Sequence, residues 1–227
     1  MNDIKKLMLP IIFVALLSSC NNGNSTDTNR DSTGTRGTDS NDSVGMVTTR
    51  TLCPSPESSD LGMEVIGQEE STWCWAACGE MVIEKVKDTS ITQCDQVTER
   101  FPENGNCCGQ ARPAGCQGGD WPDFDRYGLN SDTTLNDEPL SWDTIRNQID
   151  CKKAPICVSW HLARGNGHMA VVSAYKVARG VRFLYKLDPE FGGSVRWITY
   201  DRYRVGPDLQ GVPMYTHWKD FYNIEKK

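Results

Sequence analysis

The chain has 227 residues and a formal charge of −6, with 24 Lys and Arg against 30 Asp and Glu. No basic cluster or stripe runs through it, and a mildly acidic chain without one is not built to hold nucleic acid. At the N-terminus, Lys5 and Lys6 precede an apolar stretch from Leu7 to Leu17, followed by Ser18, Ser19 and Cys20. A basic start, a short apolar run and small residues at a cut site make a secretory signal, and the run is too short to span a bilayer.

Because it ends on Leu17-Ser18-Ser19-Cys20, segment 1–20 resembles a bacterial lipoprotein signal. That resemblance implies an acylated Cys20 as the mature N-terminus and a lipid that holds the protein at a membrane surface. An ordinary signal peptide with an incidental Cys20 is the alternative. Segment 21–51 is Asn, Ser, Thr, Asp and Gly with only Val44, Met46 and Val47 to bury, so it reads as a disordered polar tether. A flexible coil of that length spans roughly 30 Å. The remainder, 52–227, is sized for one domain.

Within that domain, Ser71 or Thr72 is placed to cap a helix beginning near Trp73, with Trp75, Cys78, Val82 and Val86 along one face. A second helix is expected over Thr92 to Phe101. The stretch from Asn104 to Gly119 is aperiodic and rich in Gly, Asn, Gln and Cys, the signature of a stapled loop. Ser141 to Ile149 predicts a third helix, with Trp142, Ile145 and Ile149 on one side. Strand patterns then take over at Pro155 to Trp160, His168 to Tyr175, Val181 to Leu187 and Ser194 to Tyr200. Turns are supplied by Gly165-Asn166-Gly167, Ala178-Arg179-Gly180 and Pro189 to Gly193. Helices first and an antiparallel sheet second predict an α+β fold.

Apart from Cys20 and Cys74, the cysteines are Cys53, Cys78, Cys94, Cys107, Cys108, Cys116, Cys151 and Cys157. An even set in an exported chain predicts disulfides, with the connectivity open. A zinc site from Cys94, Cys107, Cys108 and Cys116 is the rival reading, weakened by the lack of paired Cys-x-x-Cys knuckles.

Chemistry concentrates at three places. Gln68 stands six residues before Cys74, which falls in the first turn of the first predicted helix; Gly167-His168 opens a strand; Leu187-Asp188-Pro189 closes another. A thiol becomes a strong nucleophile when a helix dipole or a basic partner stabilises its thiolate. These positions offer both, the layout of a cysteine-nucleophile hydrolase. His161 and His217 are weaker candidates for the base, His161 because it is expected in the turn ahead of the strand.

Gln68, Trp73-Cys74-Trp75-Ala76-Ala77, Gly167-His168 and Asp188-Pro189 resemble a papain-like cysteine peptidase. More narrowly, they are similar to the bacterial peptidases related to bacteriocin-leader-processing proteases and to papain-like effector proteases of plant pathogens. Thr92-Gln93-Cys94, Cys107-Cys108 and Cys116 resemble an extracytoplasmic subgroup of these. The likeness runs from about Gly67 to Asp188. It implies a papain-like fold, with a nucleophile helix packed on a C-terminal antiparallel sheet, and a catalytic set of four. Cys74 would be the nucleophile, His168 the base and later acid, Asp188 its orienter, and Gln68 an oxyanion donor. Many papain relatives carry asparagine where Asp188 stands; other branches carry aspartate. Trp73 and Trp75 are expected to pack around the helix start.

The expected activity is therefore hydrolysis of protein or peptide substrates at the bacterial cell envelope, on its periplasmic or outer side, with no metal or organic cofactor. The tether is too polar to pack as an inhibitory propeptide, so control would fall to location, redox state or a separate protein inhibitor. Alternatives are a cell-wall peptide amidase on the same fold, a transferase using the same thioester, and a disulfide-rich binding lipoprotein on a retired scaffold.

Overall fold

The computed structural model describes residues 53, 55–109, 111–162, 167–206, 208–209, 212–213 and 215–227. The expected signal segment with Cys20, the tether, and the turn at Gly165-Asn166 lie outside them. A short strand, β1 (Ser58–Asp60), precedes helix α1 (Cys74–Lys87). Trp75, Cys78 and Val82 are buried along one face of α1, as their spacing predicts. Its start differs from expectation: Trp73 is the N-cap and no side chain caps the helix, in place of Ser71 or Thr72. At the other end Asp88 takes a left-handed conformation at φ 60°, and its N–H returns to the Glu84 carbonyl.

Helix α2 (Gln93–Arg100) begins as read, with the Thr92 hydroxyl accepting the Asp95 N–H at 3.2 Å. The strand β2 (Leu129–Thr133) was not anticipated. Ser141 caps α3 (Trp142–Arg146) by accepting the Thr144 N–H at 3.1 Å, and the chain winds on through a π-helical turn, Asn147–Cys151. Trp142, Ile145 and Ile149 are all buried.

The sheet follows as β3 (Ile156–Leu162), β4 (Gly167–Ala178), β5 (Val181–Asp188) and β6 (Ser194–Thr199), each antiparallel to the last. Arg179 and Gly180 both have positive φ in the β4–β5 hairpin, where a two-residue turn demands it. Tyr200 leaves the expected strand and starts a short helix, α4 (Tyr200–Val205), capped by Thr199. After the small pair β7 (Asp208–Leu209) and β8 (Val212–Pro213), β9 (Tyr215–Lys226) re-enters the sheet. Among the described residues the order is β2-β9-β3-β4-β5-β6, with β1 also on β4.

Two apolar layers sandwich this sheet. On one side Trp75, Cys78 and Val82 of α1 meet Val171, Leu187 and Phe221. On the other, Ile145 and Tyr203 close over Val158, Val172 and Leu184. The architecture is α+β, with the Cys74 helix packed on an antiparallel sheet.

Among the described residues three disulfides join Cys53–Cys151, Cys94–Cys108 and Cys107–Cys116. The latter two staple the expected loop and use all four cysteines of the rival zinc reading. Disulfides of this kind persist in oxidising compartments, which fits export. Cys78 and Cys157, however, are free and buried in the helix–sheet core, contrary to full pairing. A buried thiol packs as a small hydrophobe and needs no partner. Among the described residues no helix is long and apolar enough to cross a membrane.

Candidate active site

His168 and Asp188 come together through strand register. The β4–β5 ladder pairs Val172 with Lys186 and Val171 with Leu187. Continued one step, it sets Ala170 opposite Asp188, so His168 is Asp188's diagonal neighbour on the same face, a spacing that a long side chain spans. Nε2 of His168 meets Oδ1 of Asp188 at 2.7 Å, and both residues are buried, at 6% and 5% exposure. An ionised carboxylate only accepts, so this geometry places the ring proton on Nε2 and leaves Nδ1 for other work.

Asp188 makes further contacts. The Glu190 backbone N–H donates to Oδ1 at 3.2 Å, and Lys186 Nζ donates to Oδ2 at 2.5 Å. Burial alone would favour the neutral acid. The His168 hydrogen bond and the charges of His168 and Lys186 outweigh it, holding the carboxyl well below the usual carboxylate range. Glu190 also converges, since ligand atoms of His168, Asp188 and Glu190 lie within 4.8 Å of one another. Three such groups could face a cation, but the Lys186 ammonium already holds the outer oxygen of Asp188 and repels one.

Cys74 is the first residue of α1 and is 1% exposed. It packs in one cluster with Met169 and Leu187. Its sulfur is disulfide-bonded, whereas the sequence predicted a free thiol. A thiolate stabilised for attack on a carbonyl is also the species that attacks disulfides, so the most nucleophilic cysteine is readily oxidised. One turn on, burial raises the Cys78 thiol well above its ordinary value, with Cys157 and the Asp188 charge adding to the effect.

Gln68 is tied to the same neighbourhood by its backbone N–H, which donates to the Pro189 carbonyl at 2.8 Å. Its side-chain Nε2 donates to the Glu70 carbonyl at 2.8 Å, and its Oε1 is buried without a hydrogen-bond partner. One amide hydrogen is thus committed, and one remains. The segment is held by Gln93, a buried residue for which the sequence suggested no role beyond the family pattern. Its Oε1 accepts the Glu69 N–H at 2.9 Å and its Nε2 donates to the Gly67 carbonyl at 3.0 Å. Arg112 lies over the Trp73 ring at 4.7 Å and pairs with Glu69 and Glu70. Trp73 and Trp75 are buried, their indole N–H groups donating to the Cys116 and Gly118 carbonyls.

The other histidines stand apart. His161 lies within β3, not in the turn expected there, and stacks on Trp218 with centroids 3.8 Å apart. Burial lowers its pKa, and Asp137 pulls the other way. His217 is buried with Nε2 at 3.2 Å from Asp220 Oδ2, an ion-pair distance without hydrogen-bond angles; neither ring nitrogen has a hydrogen-bond partner. That Asp220 oxygen is already taken by the Tyr203 hydroxyl at 2.6 Å, so the pair is best described as a packed core contact.

Sequence reading missed Lys186. A lysine between Tyr185 and Leu187 passes for the exposed side of a strand, and only covering both sheet faces makes it a buried one.

No family model and no curated protein matches the chain. Among solved structures, one from work on antibody cross-reactivity between the mite allergens Blo t 1 and Der p 1 has a TM-score of 0.48 at 14% identity, covering 77% of this chain and 73% of its own. Procathepsin B S9 from Trypanosoma congolense gives 0.46 at 12% identity, over 74% and 77%. A digestive procathepsin L 3 from the larval midgut of Tenebrio molitor gives 0.42 at 11% identity, over 76% and 71%. These likenesses concern the course of the backbone alone; any chemistry rests on the side chains described above.

Proposed function

We propose that the chain is a cysteine peptidase acting through Cys74, His168, Asp188 and Gln68, exported from a bacterial cell and held at its envelope by a lipid on Cys20. The observation that carries the reading is the buried His168–Asp188 hydrogen bond of 2.7 Å, on strands packed against the helix that Cys74 opens. Asp188 fixes the ring so that Nδ1 serves Cys74. The thiolate, supported by the helix N-terminus and the imidazolium, attacks the peptide carbonyl. The second amide hydrogen of Gln68 and the Cys74 N–H hold the resulting oxyanion; such a donor is worth on the order of a hundred- to thousandfold in turnover. His168 protonates the leaving amine, then takes a proton from the water that opens the thioester. Each step draws on residues of the chain and water alone.

Because Cys74 must be a thiol for this chemistry, the test begins with mild reduction. The full chain exposed to an epoxysuccinate should take up one label, at Cys74, and Cys74→Ala should take up none and hydrolyse no peptide. A label on another cysteine, or none on the unmutated chain, would end the reading.

A further inference from the structure

Lys186 carries an ammonium into a place lined by apolar groups. It is 5% exposed, stands on β5 opposite Val172 of β4, and has Nζ 5.7 Å from the Trp160 ring centroid. Burying such a charge is costly unless it is compensated. Its compensation is Asp188 Oδ2, while Oδ1 of the same carboxylate faces His168. A Glu190 carboxyl oxygen lies in the same 4.8 Å group as His168 and Asp188. A neutral Asp188 would be a poor partner for an imidazolium.

We propose that Lys186 is a positioning residue of the site. By holding the outer oxygen of Asp188, it keeps that carboxylate ionised and turned toward His168. This inference rests on the peptidase reading. The charged and titratable groups facing Asp188 are His168 from β4, Glu190 from the turn after β5, and Cys78 from α1; Arg196 stands across from Lys186 on β6 and is exposed.

The test is the rate at which iodoacetamide alkylates Cys74 in the reduced full chain, followed by mass mapping against pH. In the unmutated chain, a thiolate–imidazolium pair gives a reactive plateau on the acid side of an ordinary thiol, near 8.5, and a second inflection where the imidazolium loses its proton. Lys186→Met should lower the plateau about tenfold, well short of the roughly 10⁴-fold that spoiling an orienting carboxylate itself can cost. It should also move the second inflection to lower pH, because an Asp188 carboxylate no longer held ionised and in place stabilises the imidazolium less. Lys186→Arg keeps the charge and should leave the inflection in place, an arm that stands even if the methionine variant does not fold. Combined with Asp188→Asn, Lys186→Met should change the plateau no further, since its effect passes through Asp188. The proposal is overturned if folded Lys186→Met matches the unmutated profile, if its effect persists in the Asp188→Asn background, or if Lys186→Arg shifts the inflection. An unmutated chain lacking the acid-side plateau overturns the peptidase reading itself.

Discussion

A histidine that takes a proton at one step and returns it at the next needs its ring held still. The 2.7 Å contact with Asp188, beneath a fully packed sheet, supplies that restraint. Losses at the two residues should therefore differ in kind. His168→Ala removes the proton carrier and should reduce turnover nearly as far as Cys74→Ala, because members of such a unit do not add. Asp188→Asn keeps an acceptor and should cost less than Asp188→Ala, which frees the ring to turn. His161→Ala should leave turnover nearly unchanged, since its ring is stacked on Trp218 within β3. Turnover of these variants on one peptide substrate decides the assignment; a dead His161→Ala beside an active His168→Ala would reverse it. At this scale the sequence was informative where residue type and chemistry coincide: a cysteine at a helix start, a histidine after glycine, an aspartate before proline. It was silent on Lys186 and Gln93, whose importance comes from burial, a property of the assembled layers.

Elements, not residues, bring Gln68 near the pair. The loop before α1 and the turn after β5 touch through backbone: Gln68 N–H to the Pro189 carbonyl, and Gly67 against Gly192. A Cβ at Gly67 would sit 2.5 Å from the Gly192 carbonyl carbon, so only a bare backbone fits there. Gly67→Ala should destabilise the protein by about 1–3 kcal/mol, the usual scale of overpacking. It should also lower turnover per folded molecule, because the forced separation displaces Gln68. Urea unfolding together with turnover normalised to labelled Cys74 separates the two; full turnover in the variant would show that the contact does not position Gln68. Element types were legible for α2, α3 and β3 to β6, where period and caps agree. The strand β9 was not, because buried Trp218, Phe221 and Ile224 recur every third residue. Register shifts against both β2 and β3 break the two-residue alternation that marks a strand.

Across the whole molecule, cysteine parity overcounted the disulfides. Pairing joins cysteines of α2 and the loop after it, buried Cys107 and Cys116 among them, and ties the chain's approach to the sheet at Cys53–Cys151. Cys78 and Cys157 lie where α1 meets the sheet, and burial holds both thiols above their ordinary values. Parity in a sequence cannot tell an interior thiol from a bridge. The anchor is also a property of the whole chain. If Cys20 carries a lipid, Cys20→Ser should move the protein from the detergent phase to the aqueous phase of a temperature-induced detergent separation. An unmutated protein found in the aqueous phase would rule out lipidation.

The bond between Cys53 and Cys151 spans 98 residues, among them α1 and the whole Gln68 loop. It gives the protein a mechanical property. A pull applied at Cys53 crosses to Cys151 and loads the sheet strands, bypassing the enclosed chain. Helix α1 is then spared the strain taken up at Cys53. Stretched one molecule at a time, the oxidised protein should give a shorter final length than the reduced one, by about 340 Å at roughly 3.5 Å per released residue. Equal lengths with and without reductant would mean that the load does not take this route.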